Sequence, residues 1–209
     1  MTKSASKSNT PSPPVKIAIT GGIGSGKSLF ANFIKEKGFP VIQADDLAKY
    51  LMQSDRVIKR KIIQSFGNDS YSGESINREY LAKTVFHDPE KTKILNKIVH
   101  PVVIRKIKEL LHDAKTPLIF CEAALIFEAK MTPLFDYIVL ISADEELRIK
   151  RVVERDLVSP EEVLQRMQNQ MSEIEKNKRS HYIFLNNGTP EELNSKADLI
   201  ISLLSPHNS

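Results

Sequence analysis

The chain has 209 residues, 41% of them hydrophobic, and a formal net charge of +4 at pH 7, which predicts one domain with a substantial core. Its basic residues are dispersed, it contains a single cysteine, and no apolar run reaches the about 20 residues of a membrane span. We therefore expect a cytoplasmic monomer or weak homo-oligomer that binds a small anionic molecule, with no nucleic-acid or membrane partner.

The first segment, residues 1–14, is rich in Ser, Thr, Lys and Pro and has no hydrophobic pattern, which is typical of a disordered tail. The folded domain is predicted to span 15–204.

The segment from Gly21 to Ser28 fits the phosphate-binding pattern of Gly, four residues, and Gly-Lys-Ser. A short β-branched run over 15–20 precedes it, and apolar residues at helical spacing follow it. Strand, glycine loop and helix are the context that this motif requires, so we predict a phosphate-binding loop. Backbone amides and a helix N-terminus would bind the phosphate oxygens there. The expected nucleotide-binding residues are Gly22, Ile23, Gly24, Ser25, Gly26, Lys27, Ser28 and Leu29.

Two side chains of this loop have predicted roles of their own. Lys27 is expected to reach the β and γ phosphates, and the Ser28 hydroxyl is expected to bind Mg²⁺.

A short second strand is predicted over 39–42, followed by Gln43-Ala44-Asp45-Asp46. In open parallel sheets, ligands bind beyond the carboxyl ends of the strands, so Asp45 is expected to share a cleft with the phosphate loop. A carboxylate there could orient or deprotonate an attacking hydroxyl group. The alternative is that Asp45 or Asp46 only caps a helix beginning at Leu47.

The region from about 47 to 113 is predicted to be mostly helical and to cover one side of the cleft, because it is long for a simple crossover. The polar run 68–75 is expected to be a loop. Pro101 should kink or restart its helix. His100 beside it is compatible with either a structural histidine or a ligand.

The apolar run 117–122 predicts a buried parallel strand that ends in Glu122. An acid at such a strand end helps to hold Mg²⁺ in phosphate-loop enzymes, although an ordinary strand-end acid is the alternative. Cys121 is predicted to be buried and inert. A further buried strand is predicted over 135–141.

A basic segment containing Arg148 and Arg155 is followed by a capping box from Ser159 to Glu162. Two helices joined by a short turn could close over the nucleotide as a lid, and arginines on it would neutralise charge on the transferring phosphoryl group. Arg148 and Arg155 can share one face. A solvated helical face is the alternative.

The last strand is predicted over 182–185, followed by the turn Asn186-Asn187-Gly188 and a helix with a second capping box. Because the nucleotide base is often held by a loop at this point, Asn186, Asn187 and Gly188 are candidates for the adenine side. A plain turn is the alternative.

With these residues identified, the chain resembles the dephospho-coenzyme A kinase family over about 15–204. The segments that carry the resemblance are Thr20 to Ser28, Ala44-Asp45, His100-Pro101, Leu125-Ile126-Phe127-Glu128, Arg155-Asp156, Gln170 and Asn186-Asn187-Gly188. The resemblance implies transfer of the γ-phosphoryl group of ATP, with Mg²⁺, to the ribose 3′-hydroxyl of dephospho-coenzyme A. The family usually has aspartate where this chain has Gln43 and Glu122.

The resemblance also implies an α/β P-loop NTPase fold like that of nucleoside monophosphate kinases, with a parallel five-stranded sheet flanked by helices. The core would comprise 15–46, 114–147 and 179–204, with a helical substrate-binding insertion at about 47–113 and a lid at about 148–178. The implied roles are Asp45, Lys27 and Arg155 in catalysis, Asp45, His100 and Leu125 in substrate binding, and Ser28 and Glu122 at the metal.

Three other hypotheses make different predictions. Another small-molecule or nucleoside monophosphate kinase of this architecture would differ only in its acceptor. A guanine-nucleotide switch protein typically carries Asn-Lys-x-Asp, whereas Asn96-Lys97 and Asn177-Lys178 both lack the acid. A nucleic-acid-binding protein would show salt-sensitive affinity for oligonucleotides.

Overall fold

The computed structural model describes residues 13–86 and 88–205, with only the backbone of Phe86. The disordered tail predicted for 1–14 lies almost entirely outside the described residues. Within the described ranges, no helix is both long and apolar enough to traverse a lipid bilayer.

The strands are β1 (Val15–Thr20), β2 (Val41–Gln43), β3 (Tyr71–Ser72), β4 (Ser75–Ile76), β5 (Leu118–Glu122), β6 (Tyr137–Ser142) and β7 (Tyr182–Leu185). The helices are α1 (Lys27–Glu36), α2 (Ala44–Ser54), α3 (Arg56–Phe66), α4 (Arg78–Phe86), α5 (Pro89–Asp113), α6 (Glu145–Asp156), α7 (Pro160–Gln168), α8 (Glu173–Arg179) and α9 (Pro190–Leu204). Short 3₁₀ turns lie at Asn68–Ser70 and Thr132–Leu134.

Five strands form one parallel sheet in the order β2-β5-β1-β6-β7, which confirms the predicted fold class. The strand β1 lies in the centre, so the phosphate loop that follows it emerges at the middle of the carboxyl edge of the sheet. The strand β2 reaches the same edge on the other side of β5, because Gln43 pairs with Glu122. Residues that follow β1, β2 and β5 therefore meet at one place.

Alternating residues of the central strands face two separate cores. Ala18 of β1 and Cys121 of β5 pack with the helices α2, α3 and α5 on one face. Ile17 and Ile19 pack with α1 and α9 on the other face. Because helices cover both faces, every residue of β5 is buried, as its apolar run predicted. Burial also raises the pKa of the Cys121 thiol, which agrees with an inert cysteine.

One expectation for the helical region is wrong, and one of the two alternatives for Pro101 is excluded. Within the run 68–75, expected to be a loop, the strands β3 and β4 form a small antiparallel hairpin whose turn includes Gly73 at φ 60°. The hairpin is fixed by Tyr71, whose hydroxyl donates a 2.6 Å hydrogen bond to the backbone oxygen of Met52. Pro101 does not restart its helix, because α5 continues through it from Pro89 to Asp113.

The segment between β6 and β7 contains three helices. The turn between α6 and α7 passes through Leu157 at φ 54°, and the predicted capping box of Ser159 and Glu162 is present. The short helix α8 was not predicted as a separate element. Its Glu173 and Lys176 lie next to the phosphate loop, as described below.

Candidate active site

The phosphate loop has the backbone geometry that its glycines allow. Gly24 and Gly26 adopt φ 79° and 90°, values that favour glycine. The helix α1 begins at Lys27, and its N-cap residue, Gly26, has no side chain that could cap the first amides. A helix end of this kind binds phosphate oxygens through its amides and its dipole.

Glu122 connects the phosphate loop to the neighbouring strands. It ends β5, is only 4% exposed, and accepts a 3.3 Å hydrogen bond at Oε1 from Ser28 Oγ. Lys27 Nζ lies 3.7 Å from the same oxygen. Burial raises the pKa of the Glu122 carboxyl, Lys27 opposes that shift, and the negative charge of Asp45 adds to it. The lysine, the serine and two acids therefore lie within electrostatic range of one another.

Ser28 and Glu122 have the donor atoms expected at a Mg²⁺ site, because hydroxyl and carboxylate oxygens are hard ligands. Within the described part of the chain, no group of three or more His, Cys, Asp or Glu side chains is arranged to hold a metal. A Mg²⁺ ion bound here would thus take most of its ligands from phosphates and water, which is the usual arrangement for this ion.

Because the pKa of Glu122 is raised in the folded protein, we predict that replacing its carboxylate with a neutral group stabilises the fold. The folded protein holds the Glu122 proton to a higher pH than an unfolded chain, whose value is near 4.5, so ionisation of Glu122 destabilises the fold as pH rises. We expect Glu122→Gln to increase the free energy of unfolding at neutral pH, in the absence of nucleotide. The gain should vanish in acid, where the carboxyl is protonated in both states.

Denaturant unfolding as a function of pH measures this effect. Glu36→Gln at the exposed end of α1 is the matched control and should change little. Equal stability of the wild type and Glu122→Gln at neutral pH would contradict the prediction.

Asp45 lies at the same edge of the sheet as Glu122. The helix α2 begins at Ala44, earlier than predicted, with Gln43 as its N-cap and no side-chain capping bond. The interpretation of Asp45 or Asp46 as a cap is therefore wrong, since both lie in the first turn. Asp46 pairs with Lys49 at 2.8 Å, whereas Asp45 lines a cavity.

That cavity, of about 80 Å³, brings together the predicted substrate-binding residues Asp45, His100 and Leu125. The rest of its wall is apolar and consists of Ala44, Ala48, Val103, Ile104, Ile107, Ala123, Ala124, Ala129 and Met131. Burial lowers the pKa of His100, and the charge of Asp45 partly opposes this shift. His100 is thus close to Asp45 and favours its neutral form.

The two arginines singled out on α6 have different environments. Arg155 is 64% exposed and forms two hydrogen bonds to Asp156, at 2.7 and 3.1 Å. Arg148 is buried, and its Nε donates a 3.0 Å hydrogen bond to the backbone oxygen of Ile23. Two helical turns separate the two residues by about 10 Å along the axis, so the shared face does not bring both to the loop.

Asn186 holds the phosphate loop from the other side. Its Nδ2 donates a 2.8 Å hydrogen bond to the backbone oxygen of Ser25, and the residue is buried. Asn187 accepts a hydrogen bond from the amide of Asp144 at 3.0 Å. A role for Asn186 and Gly188 at adenine stays a prediction, while the contact with Ser25 was not foreseen from the sequence.

Comparison with known proteins points to one family. A sequence model described as dephospho-CoA kinase matches residues 15–192. The dephospho-CoA kinase of Chlorobaculum tepidum is 36% identical over 201 residues, which cover 91% of this chain and 95% of that protein. The dephospho-CoA kinase of Salinibacter ruber is 40% identical over 185 residues, which cover 87% of this chain and 93% of that protein.

Solved structures agree. Protein TT1252 from Thermus thermophilus superposes with a TM-score of 0.79 at 35% identity and covers 93% of this chain and 100% of its own. The dephospho-CoA kinase of Campylobacter jejuni superposes with a TM-score of 0.65 at 26% identity. The match covers 93% of this chain and 99% of that protein. A shikimate kinase from Acinetobacter baumannii shares the fold. It superposes with a TM-score of 0.57 at 14% identity, and the match covers 91% of this chain and 92% of that protein.

Proposed function

The chain belongs to the dephospho-CoA kinase family, and from this membership we infer that it transfers a phosphoryl group from ATP to dephospho-coenzyme A. This reaction is the final step of coenzyme A biosynthesis. We propose that the acceptor hydroxyl is the ribose 3′-hydroxyl and that Asp45 directs it at the γ-phosphate.

The observation that carries the proposal is the position of Glu122 between the phosphate loop and Asp45. Lys27 and Ser28 contact this carboxylate from the loop side, and the charge of Asp45 acts on it from the acceptor side. Donor and acceptor sites therefore meet at the carboxyl ends of β1, β5 and β2, as an in-line transfer requires.

In this scheme each residue has one task. The loop amides and Lys27 hold the ATP phosphates and offset their charge. Ser28 and Glu122 would hold Mg²⁺, which supplies further neutralisation of the β- and γ-phosphate oxygens when it is bound. Asp45 orients the acceptor hydroxyl and accepts its proton.

The cavity beside Asp45, of about 80 Å³, is too small for a whole nucleoside and could take only a part of the acceptor. Its wall is largely alanine and branched aliphatic, and its polar groups are concentrated at Asp45 and His100. Apolar surface with a few fixed polar groups is typical of sites that bind aromatic rings and orient a single reactive group.

We further propose that 47–113 is the substrate-binding insertion and that 148–178 is a lid. Residues of α2 and α5 form one wall of the cavity, and residues of α6 contact the phosphate loop. Closure of a lid over this cleft would exclude water, which would otherwise hydrolyse ATP.

The function is tested by incubating the purified protein with ATP, Mg²⁺ and one acceptor at a time. We expect ATP consumption with dephospho-coenzyme A and a product whose mass shows one added phosphoryl group. Shikimate, gluconate and nucleoside monophosphates serve as comparison acceptors and should give little turnover. Turnover with one of these and none with dephospho-coenzyme A would contradict the assignment.

Arg155 provides a test of the proposed lid. Its pairing with Asp156 and its exposure indicate that it must reorient before it can reach a phosphoryl group. We expect Arg155→Met to lower kcat about 10- to 100-fold and to change the KM for ATP little, because the charge would act mainly in the closed state. Steady-state kinetics measure both, with exposed Lys150→Met on the same helix as control. An unchanged kcat would exclude Arg155 from the mechanism.

A further inference from the structure

Both backbone groups of Ile23, in the phosphate loop, are held by side chains from the lid segment. Its amide donates a 3.0 Å hydrogen bond to Gln170 Oε1, just beyond α7. Its carbonyl oxygen accepts a 3.0 Å hydrogen bond from Arg148 Nε of α6. The backbone of Ile23 is thus held on its N–H side and on its C=O side by two separate parts of the lid segment.

Arg148 is itself held in place. Its NH1 lies 3.2 Å from Glu173 Oε1, and Glu173 Oε2 accepts a 2.9 Å hydrogen bond from Ser142 at the end of β6. Lys176 Nζ, fully buried, lies 3.9 Å from the same Glu173. Because Arg148 is buried and its guanidinium group pairs with the partly exposed Glu173, that group is confined to one position rather than sampling solvent.

The loop and α6 are also in direct steric contact. A Cβ atom added to Gly24 would clash with the backbone oxygen of Arg148, and one added to Gly22 would clash with its guanidinium NH2. The glycines therefore serve the approach of α6 as well as the backbone dihedrals of the loop. A displacement of α6 would therefore move residues 22–24 of the phosphate loop.

We propose that Arg148 and Gln170 are positioning residues that fix the two peptide groups flanking Ile23 and so preorganise the loop amides for the ATP phosphates. The affinity for nucleotide then depends on the placement of α6 and α7, because Arg148 and Gln170 act on the nucleotide through the loop. The inference rests on the proposed function of the loop as the ATP site. Preorganised amides bind phosphate more tightly because less ordering occurs on binding.

Calorimetric titration with MgADP, in the absence of acceptor, tests the proposal. We expect Gln170→Met to weaken MgADP binding about 5-fold and Arg148→Met about 10- to 50-fold, the range for one neutral and one charged hydrogen bond. Exposed Gln168→Met and Lys150→Met are matched controls and should bind like the wild type. Wild-type affinity in both test variants would overturn the proposal.

Arg148→Lys separates positioning from simple charge. Lysine keeps the positive charge but cannot donate to Ile23 and Glu173 in the same forked geometry. We expect this variant to bind MgADP about as weakly as Arg148→Met. Recovery of wild-type affinity would show that only the charge matters and would refute a positioning role. If Arg148→Met fails to fold, Arg148→Lys and Gln170→Met carry the test.

Two further measurements identify Ile23 as the shared element. Its amide should exchange with solvent faster in Gln170→Met than in the wild type, before any nucleotide is added. In the variant with both methionines, the loss of affinity should be smaller than the product of the single losses, because both residues hold the backbone of the same residue, Ile23. Independent losses and unchanged exchange would contradict the inference. Since none of these measurements uses dephospho-coenzyme A, failure of the acceptor assignment would leave them unaffected.

Discussion

Asp45→Asn is expected to lower kcat about 1,000-fold while leaving the affinity for MgADP within about two-fold of the wild type. Asparagine keeps the size of the side chain and one acceptor oxygen, but it cannot take up the proton of the attacking hydroxyl. Asp45 makes no cap for α2 and lines the cavity wall, so its loss should not disturb the helix. The effect should therefore be on the chemical step.

Single-turnover kinetics with dephospho-coenzyme A and calorimetry with MgADP separate chemistry from binding. Asp46→Asn is the matched control, because it removes the neighbouring acid from the same helical turn, where Asp46 pairs with Lys49. We expect that control to keep near-normal turnover. Near-normal kcat in Asp45→Asn would remove this residue from the mechanism and leave Lys27 and the loop amides as the sources of catalysis.

The sequence predicts the parts of the site that depend on local structure or on the geometry of a parallel sheet. The order strand, glycine loop, helix identifies the phosphate loop, and the rule for carboxyl ends of parallel strands brings Asp45 and Glu122 to it. The pairing of Gln43 with Glu122 shows that β2 and β5 end at the same level of the sheet. Each acid lies at or just after the end of its strand, so the two acids are neighbours.

The contacts that fix the loop from outside could not be obtained in this way. The bonds of Ile23 to Arg148 and Gln170, and of Ser25 to Asn186, join residues 125, 147 and 161 positions apart. No local pattern identifies a partner at such separations, because the partner is chosen by how helices pack around the sheet. Gln170 was identified only as part of a resemblance, without a role.

The same limit applies to the environments of the two arginines of α6. Arg148 and Arg155 occupy equivalent positions on the helical repeat, and the sequence does not tell which turn of α6 is covered by other elements. Burial beside Glu173 distinguishes one, and pairing with Asp156 on the surface distinguishes the other. The hairpin β3-β4 was missed for a different reason, since strands of two residues are too short to show alternation.

Lys27→Met is expected to lower kcat/KM for ATP about 1,000-fold, with a decrease in kcat of about 100-fold or more. The methionine keeps the aliphatic stem but removes the cation that offsets charge on the β and γ phosphates. Its loss also leaves Glu122 without the charge 3.7 Å away, so ionisation of Glu122 becomes less favourable. The variant should therefore be less stable at neutral pH as well as inactive.

A double variant, Lys27→Met with Glu122→Gln, separates these two consequences. Removing both charges eliminates the buried carboxylate that lacks a partner, so we expect stability to return to at least the wild-type value. Turnover should stay low, because neither the phosphate cation nor the proposed Mg²⁺ ligand is present. Lys35→Met, at an exposed position of the same helix, is the control for loss of charge alone. If the double variant regained turnover together with stability, the effect of Lys27 would be structural, and its assignment to the phosphates would be wrong.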